Sequence, residues 1–439
     1  MHVMHIGARP EAIRGLHRGG HEITVLYEAG DGRRMDRTPG VRELTARACA
    51  VDSYRVVESL WSAIHHLAPM PKVDAVLTTN EYAVVPAAIL GAQLGAIAID
   101  PQVALACRDK AVQKARWQAA GVPTARWLVL PDVLPDVPDS APRVAELLAA
   151  AGLEPPVVVK PLAAGGGISV SVAHSADEVV AAAGAHDDLR RILVEEFVDA
   201  PEWHVDGVVQ DGSITAMMVS QYGEPLLCTK QGRPMRSIAY PPATHPGLYA
   251  EAAQVTSRAL AALGVTTSVF HFELFGRPGA FVANELACRP GGSMLGRVAE
   301  KTIGVDLWAA ATQLYTGDEL EPVAHEPDRV HGWTHLPSVP GRPNTVREQD
   351  VRAVAGVDRV VLLPPGAPMQ DMSETTSTGI GYAVVSAPDR AACQAAMDEL
   401  VARVWAIHAG RRPRTKSSEV FAAGGRIRTG HRSPRMEMR

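Results

Sequence analysis

The sequence predicts an α/β fold divided into several domains. Apolar runs at 3–6 and 23–27 predict two strands, and the segment between them, 9–18, predicts a helix that ends near Gly19-Gly20. A strand, a helix and a further strand in this order are typical of a parallel sheet. The chain has 439 residues, and a chain of this size is expected to form roughly two to four domains or subdomains.

The next elements complete the N-terminal part of the chain. A strand at 74–78 and an Ala-rich helix after it close a Rossmann-like domain that we place at 1–105. An amphipathic helix at 108–120 then opens a region of linker helices at 106–155. Prolines recur between 131 and 142, which predicts a surface excursion at that point.

Short strands dominate the middle of the chain, and we assign 156–220 to a separate subdomain. Residues 221–246 hold five prolines and show little periodicity, so we expect a long mobile loop there. The predicted strands are 156–160, 170–173, 192–197 and the two arms of a hairpin at 203–220 that turns at Asp211-Gly212.

Helices and strands alternate again from residue 248. We assign 221–325 to a second subdomain, 326–408 to a C-terminal α/β cap and 409–439 to a basic, disordered tail. The predicted elements are helices at 248–263, 304–317 and 390–408 and strands at 269–274, 280–284, 360–363 and 381–386.

Composition and charge exclude several classes of protein. Hydrophobic residues make up 46% of the chain and charged residues 21%, and no apolar run is long enough for a signal peptide or a membrane span. We therefore predict a cytoplasmic protein with no membrane partner. Five cysteines without a C-x-x-C pair argue against a disulfide framework and fit a reducing compartment.

The formal net charge of −5 is unevenly distributed. Residues 411–439 hold nine Lys/Arg and two Glu, so the rest of the chain is acidic. An acidic body argues against a nucleic-acid partner. We interpret the basic tail as solvated, and contact with an anionic surface is the alternative.

A lysine and a glycine-rich turn follow one of the predicted strands. Lys160 ends the apolar run 157–159, and Gly165-Gly166-Gly167 and Ser169 come shortly after it. A lysine is a compact cation, and glycines let the backbone approach a phosphate closely. The lysine precedes the glycines, so this is not the usual P-loop. The segment predicts a phosphate site, and an exposed lysine beside a flexible turn is the alternative.

Two acidic residues are candidates for a metal site. Glu273 lies on one predicted strand and Glu285 on the next, and antiparallel neighbours can aim both carboxylates at one point. Mg²⁺ prefers oxygen ligands and is commonly shared between one or two carboxylates and phosphates. The pair therefore predicts a site for Mg²⁺ or Mn²⁺.

These segments, in this order and spacing, resemble the ATP-grasp family of ATP-dependent ligases over about residues 1–405. The resemblance implies a three-domain architecture in which ATP lies between a lid subdomain at 156–220 and a catalytic subdomain at 221–325. It implies that Lys110 joins Lys160 at the phosphates. It also implies an adenine and ribose seat at Glu195, Glu196, Phe197, Val198 and Glu202.

One position departs from the family pattern. Most members carry Asn where this chain has Ala287, and Asn284 is expected to point to the opposite face of its strand. The Glu285-x-Ala-x-Arg variant, with His271-x-Glu273 before it, resembles the branch that contains bacterial L-amino-acid (dipeptide) ligases. This resemblance implies a carboxylate and an amine substrate, an acyl-phosphate intermediate, and release of ADP and phosphate.

The resemblance also assigns residues to the substrates. Arg289 matches the arginine of the reacting carboxylate or phosphoryl group, for which a planar guanidinium is suited. His271 either contacts substrate or is hydrogen-bonded within its strand. Lys114 and Glu81 are expected at the surface. The expected substrate contacts are Arg289, Gly291, Gly292 and Arg233.

Other functions stay open from the sequence. A purine-pathway ligase or a carboxylase would use the same fold, although no Met-Lys-Met biotinyl site is present. A nucleotide-binding homologue without turnover is the alternative from another class, and Ala287 favours it. Retention of Lys110, Lys160 and the two acids argues against it. We expect small-molecule partners, and a homodimer is compatible with the sequence.

Overall fold

The N-terminal region is a parallel sheet with helices packed against it. The computed structural model describes residues 1–130, 140–185, 192–373 and 379–411. The strand order is β3-β2-β1-β4, and every pair is parallel, as predicted for the first two strands. The strands are β1 (His2–Ile6), β2 (Glu22–Tyr27), β3 (Arg47–Ala50) and β4 (Ala75–Thr78), and the helices are α1 (Pro10–Arg18), α2 (Ala29–Arg37), α3 (Val57–Leu67) and α4 (Val84–Leu94).

Two consecutive helices follow the parallel sheet. Helix α5 (Pro101–Arg108) ends and helix α6 (Lys110–Ala119) begins at Asp109, whose carboxylate accepts hydrogen bonds from the N–H groups two and three residues later. An aspartate in this position starts a new helix because it satisfies otherwise unpaired N–H groups. The helix predicted at 108–120 corresponds to α6, whereas α5 was not predicted, and the boundary at Asp109 places Arg108 and Lys110 at the ends of two different helices.

The second sheet is small and antiparallel, with the order β5-β8-β6-β7. Its apolar face packs against two helices, and Leu148, Val157 and Val179 are buried between them. The proline-rich residues 131–139, for which a surface excursion is predicted, lie outside the described residues. The elements are β5 (Trp127–Leu130), α7 (Ser140–Ala150), β6 (Val157–Pro161), β7 (Ser171–Ala173), α8 (Ala176–Gly184) and β8 (Ile192–Glu196).

The third sheet has eight strands and runs through the C-terminal half of the chain. Its order is β13-β12-β9-β10-β11-β14-β16-β15, and its pairs are antiparallel. The strands are β9 (Glu202–Gln210), β10 (Ser213–Tyr222), β11 (Arg236–Tyr240), β12 (Ser268–Arg277), β13 (Ala280–Ala287), β14 (Val330–Leu336), β15 (Val357–Leu362) and β16 (Gly381–Ala387). The helices are α9 (Pro246–Leu263), α10 (Leu295–Ile303), α11 (Leu307–Thr316), α12 (Glu348–Arg352) and α13 (Arg390–His408).

The prediction of one long loop at 221–246 was wrong. Strand β11 lies within it and pairs with both β10 and β14, so it occupies the interior of the large sheet. Its residues Ser237, Ile238 and Ala239 are buried. The strand is only five residues long and is flanked by prolines, so its pattern is too short to show in the sequence.

The parallel sheet is joined to the large sheet through helix packing. Helix α1 lies against α11, and a Cβ on Gly15 would stand 3.3 Å from the Cβ of Ala309. A larger side chain would push the helices apart, so the glycine allows the close approach that brings the two sheets to one cleft. Among the residues that the structure describes, no helix is both long and apolar enough to cross a membrane. The predicted tail beyond residue 411 lies outside the described part of the chain.

Candidate active site

The three sheets meet at a cleft of about 590 Å³. This volume is within the range of binding sites for cofactors and other small molecules. Residues singled out in separate segments of the sequence line the cleft together: Lys110, Lys160, Gly166, Gly167, Glu195, Glu202, His271, Glu273, Glu285, Arg289 and Gly292. The other singled-out residues, Ser169, Glu196, Phe197, Val198, Arg233 and Gly291, are not part of the lining.

The glycine-rich turn after β6 closes one wall of the cleft. Gly166-Gly167 and Ser169 have positive φ values of 66°, 65° and 62°, a region that glycine adopts without steric cost. Arg108 and Lys110 both donate to the carbonyl oxygen of Ala164, at 3.0 and 3.1 Å. The two residues on either side of the break between α5 and α6 therefore hold this turn in place.

Lys160 belongs to a buried chain of alternating charges. Its Nζ lies 2.8 Å from one carboxylate oxygen of Glu195, and the Nζ of Lys114 lies 3.1 Å from the other. Burial would raise the pKa of the Glu195 carboxyl, but the charges of Lys114 and Lys160 outweigh burial and lower it. Both oxygens of the Glu195 carboxylate therefore face lysines, and the carboxylate fixes the position of Lys160.

The expectation that Lys114 is a surface residue was wrong. The side chain is fully buried, and burial lowers its pKa to about 8 despite the opposing charge of Glu195. Lys114 follows Lys110 by four residues, so both lie on one face of helix α6. The four-residue spacing of Lys110 and Lys114 is the sequence feature that indicates this placement. A surface position was expected because a lysine is seldom fully buried.

The predicted adenine and ribose seat is divided, because Glu195 and Glu202 line the cleft whereas Glu196, Phe197 and Val198 do not. Glu196 pairs with Arg126 at 2.8 Å, and Phe197 is 36% exposed. Further inside, Glu202 accepts a hydrogen bond from the N–H of Leu226 at 3.1 Å. Burial raises the pKa of Glu202 to about 8. Glu202 therefore holds a proton at neutral pH, and its carboxyl group can pair with hydroxyl groups of a ligand.

The raised pKa of Glu202 predicts a pH-dependent effect of Glu202→Gln. The folded-state pKa is about 8, above the ordinary carboxyl value, so the folded protein binds more protons than the unfolded chain between pH ~4.5 and 8. The wild-type protein should therefore lose stability relative to Glu202→Gln as the pH rises through this window. Thermal unfolding from pH 5 to 9 measures the difference, and a constant difference would contradict the assignment. The exposed Glu348→Gln is the matched control.

The two candidate metal ligands face each other across a strand pair. Glu273 on β12 is the register partner of Glu285 on β13, and the next pair joins Leu274 to Ala283. Asn284 is thus the extra residue of a β-bulge, which redirects a side chain. The expectation that Asn284 points away from Glu285 was wrong for this reason.

The bulge brings Asn284 to the metal candidates. Its amide nitrogen donates to Glu273 at 3.2 Å, and its amide oxygen accepts from Lys160 at 3.2 Å. Glu285 pairs with Lys110 at 2.9 Å. Burial raises the pKa of Glu285, but Lys110, Lys160 and Arg289 together lower it. Two carboxylates and an amide oxygen are hard donors that fit Mg²⁺ or Mn²⁺, so these side chains match the implied ion.

Arg289 is held by an acid from the segment that follows β4. Its Nε donates to Glu81 at 2.5 Å, and Arg108 approaches the second oxygen of Glu81 at 3.3 Å. The side chain of Glu81 is only 11% exposed, so the expectation of a surface acid was wrong. Sequence alone does not show that the segment after β4 meets the end of β13.

A buried His–Asp–His cluster lies behind the metal candidates. Asp206 accepts hydrogen bonds from the Nδ1 atoms of His204 and His271, at 2.5 and 2.8 Å. The Nε2 of His271 lies 3.5 Å from Glu273. Burial lowers the pKa of His271, but the charge of Asp206 and the hydrogen bonds with both acids raise it to about 10. His271 is therefore hydrogen-bonded within the sheet through its Nδ1, and its Nε2 faces Glu273.

Gly291 and Gly292, which were both expected to contact substrate, have different surroundings in the structure. A Cβ on Gly291 would stand 2.6 Å from Asp206 and 2.9 Å from His271, whereas nothing lies within 4 Å of one on Gly292. Gly291 is thus required by the His–Asp–His cluster, and Gly292 is open to the cleft. Arg233 pairs with Glu224 at 2.6 Å and is half-exposed, and the structure does not bring it to the cleft.

Comparison with known proteins identifies the fold. A search against protein-family models finds no match. The chain is 23% identical over 339 residues to an L-arginine-specific L-amino acid ligase of Bacillus subtilis, covering 74% of this chain and 78% of that protein. The crystal structure of an L-amino acid ligase from Bacillus licheniformis matches 91% of this chain and 96% of its own, with a TM-score of 0.70 and 18% identity. The chain has the ATP-grasp fold.

A third structure has a different named activity. A carboxyaminoimidazole ribonucleotide synthase of Aspergillus clavatus, complexed with ATP, matches 92% of this chain and 99% of its own, with a TM-score of 0.67 and 16% identity. The resemblance to ATP-grasp carboxylate–amine ligases that the motifs predict is confirmed by these matches. The prediction of an ATP-dependent ligase that forms C–N bonds agrees with them.

Proposed function

We propose that this ATP-grasp protein binds ATP with Mg²⁺ and joins a carboxylate to an amine through an acyl phosphate. Two of the matched proteins are named as L-amino acid ligases, and these names support amino acids or similar molecules as the substrates of this protein. The observation that carries the proposal is the convergence of Glu273, Glu285, Lys110 and Lys160 in one cleft. These residues supply opposing charge and metal ligands at the same point, as phosphoryl transfer requires.

The lysines are assigned to the triphosphate. Lys110 and Lys160 enter the cleft from different elements, the start of α6 and the end of β6. Each is paired with an acid, Glu285 and Glu195 respectively, which holds its ammonium group in place. Fixed cations lower the barrier because they need no reorganisation as charge moves to the leaving ADP.

The bulged strand pair is assigned to the metal ion. Glu273, Glu285 and the amide oxygen of Asn284 would hold it. When bound, the ion would offset the charge of the phosphate oxygens and help to align them. Binding of the metal ion to Glu285 would require Lys110 to give up part of its contact with that carboxylate. The released ammonium group would then be available to the phosphates, so metal and phosphate binding are expected to reinforce each other.

Arg289 is assigned to the substrate. A carboxylate attacks the γ-phosphoryl group, ADP leaves, and an amine then attacks the acyl carbon and displaces phosphate. Negative charge builds on oxygen in both steps, and a guanidinium beside Glu285 would stabilise it. Tyr222 and Trp308 line the same cleft and are slightly exposed, so they would offer apolar surface for a substrate side chain.

The test is a search for a pair of substrates. Phosphate release from ATP and Mg²⁺ is measured with single amino acids and with pairs from a broad panel, and products are weighed by mass spectrometry. The proposal would be supported if phosphate release required a particular pair and the mass of the product equalled the summed mass of the pair minus one water. ATP hydrolysis or binding with no pair-dependent product across the panel would contradict amino-acid ligation and favour another carboxylate or a protein without turnover.

The bulge residue gives a specific prediction about the metal. Asn284→Ala removes an oxygen donor between the two carboxylates, and the Mg²⁺ concentration for half-maximal phosphate release should rise about 10- to 100-fold. Asn284→Asp keeps an oxygen at the same place and should stay near the wild-type value. Equal Mg²⁺ dependence of the alanine variant and the wild type would show that Asn284 is not a ligand.

A further inference from the structure

Two cysteine sulfurs lie in contact outside the cleft. The Sγ atoms of Cys107 and Cys288 are 2.9 Å apart, and neither forms a disulfide. Non-bonded heavy atoms usually stand about 3.5–4.0 Å apart, and a disulfide bond is about 2.05 Å long. Less than one ångström of movement therefore separates this contact from a bond, although 181 positions separate the two residues in the chain.

A buried glutamine holds the two cysteine segments together. The side-chain N–H₂ of Gln113 donates to the carbonyl oxygen of Leu286 at 2.7 Å and to that of Ala106 at 3.3 Å, and its oxygen accepts from the N–H of Leu286 at 2.9 Å. Ala106 directly precedes Cys107, and Leu286 lies two residues before Cys288. The short sulfur–sulfur contact is therefore supported by a fixed backbone arrangement.

Each cysteine directly precedes an arginine that binds Glu81. Arg108 follows Cys107, and Arg289 follows Cys288. The two guanidinium groups approach the two oxygens of Glu81 at 3.3 and 2.5 Å. A bond between the sulfurs would thus join the segments that carry Arg108, which holds the glycine-rich turn, and Arg289, which faces the cleft.

We propose that Cys107 and Cys288 form a reversible disulfide when the protein meets a peroxide or another two-electron oxidant, and that this bond clamps Arg108 and Arg289 onto Glu81. The inference goes beyond ligation, because the bond can form whatever the substrates are. In a reducing compartment the disulfides that do form are usually transient, and a disulfide that is formed by oxidation and reversed by reduction fits that pattern.

The chemistry assigns different roles to the two thiols. Cys288 is half-buried and Cys107 is buried, and contact with Cys288 together with burial raises the pKa of Cys107 well above its ordinary value. The Cys288 thiol gives its proton to solvent, the sulfur attacks one peroxide oxygen and the O–O bond breaks. The products are a sulfenic acid and a hydroxide ion, which takes up a proton from solvent and becomes water. The Cys107 sulfur then attacks the Cys288 sulfur, the S–O bond breaks, and the hydroxyl leaves with the Cys107 proton as a second water.

The clamp should slow the reaction that uses Arg289. An arginine held against Glu81 cannot follow the reacting group, and a misplacement of about 1 Å at a reacting centre can cost about 10²-fold in rate. The cross-link should also raise the midpoint of thermal unfolding, because it closes a long loop in the unfolded chain. That second effect requires no substrate and can be measured whether or not the ligase activity is found.

The experiment treats the full-length protein with hydrogen peroxide and digests it without reductant. The expected result is a Cys107–Cys288 cross-linked peptide that has lost two hydrogens, a raised unfolding midpoint, and reversal of both by dithiothreitol. Cys288→Ser and Cys107→Ser should show neither change. Cys49→Ser is the matched control, since Cys49 is the other half-buried thiol, and it should respond like the wild type.

Three results would overturn the inference. One is peroxide consumption with Cys49 oxidised and the 107–288 peptide still reduced. Another is oxidation of Cys288 that stops at a sulfinic acid without a cross-link. The third applies to the clamp: if the cross-link forms fully and turnover with an established substrate pair is unchanged, the bond does not restrain Arg289.

Discussion

Glu285→Gln should reduce ATP-dependent phosphate release by about 10³-fold, the range seen when a charge-stabilising group is removed from an active site. The substitution keeps the shape of the side chain but removes the negative charge that faces Lys110 at 2.9 Å. In the proposed mechanism the amide would bind Mg²⁺ poorly, and Lys110 would lose its fixed position. Both effects act on the phosphoryl transfer step, so kcat should fall more than the KM for ATP rises.

The measurement is phosphate release at saturating ATP and Mg²⁺, with thermal unfolding measured in parallel. Glu285→Gln also leaves a buried ammonium group without its partner, so some loss of stability is expected. The exposed Glu348→Gln removes a charge that pairs with Arg352 and serves as the matched control, with wild-type rates. Near wild-type turnover of folded Glu285→Gln would refute the metal assignment.

The fold could be predicted from the sequence where hydrophobic patterns are long and regular. Strands β1, β2 and β4 and helices α1 and α4 have clear patterns, and the predicted βαβ order is what the structure shows, whereas α2, β3 and α3 were not predicted. Strand β11 was missed because five residues between prolines carry too little pattern, although its pairing on both sides fixes it in the sheet. Pairing between distant strands is a tertiary property that a local pattern does not report.

The candidate site was predictable to the extent that charged residues lie on, or at the end of, strands that the sequence shows. Lys160, Glu273 and Glu285 were found in this way, and the structure brings them to one cleft. Two partners were not found, because each depends on long-range contact: Glu81 meets Arg289 although 208 positions separate them in the chain, and Lys114 meets Glu195 inside the protein. Their roles follow from burial, which the sequence does not show.

The bulge at Asn284 illustrates a different limit. Strand alternation places Asn284 and Glu285 on opposite faces, and that rule is reliable for regular strands. A single unpaired residue interrupts this alternation. In the register of β12 and β13, Glu273 lies opposite Glu285 and Asn284 has no partner. The departure at Ala287 therefore does not mean that the cleft lacks a third oxygen donor, which weakens the argument for a protein without turnover.

Lys114→Met should weaken ATP binding although Lys114 is not part of the cleft lining. Lys114 and Lys160 hold the two oxygens of Glu195 from opposite sides, and all three side chains are less than one-tenth exposed. Without Lys114, the whole charge of Glu195 acts on Lys160 and draws its ammonium group away from the phosphates. We expect the KM for ATP to rise about tenfold, equivalent to about 1.4 kcal/mol, with a smaller change in kcat.

The same substitution should also lower the free energy of unfolding by about 3 kcal/mol, because it leaves a buried carboxylate with one partner instead of two. The double variant Lys114→Met/Glu195→Gln tests the coupling between the two residues. Its loss of stability should be smaller than the sum of the losses in the two single variants, whereas ATP binding should stay weak because Lys160 is no longer held. Lys301→Met, which breaks a partly exposed ion pair with Glu326, is the control for loss of a lysine. An unchanged KM for ATP in Lys114→Met would show that Glu195 does not position Lys160, and the buried charges would then serve stability alone.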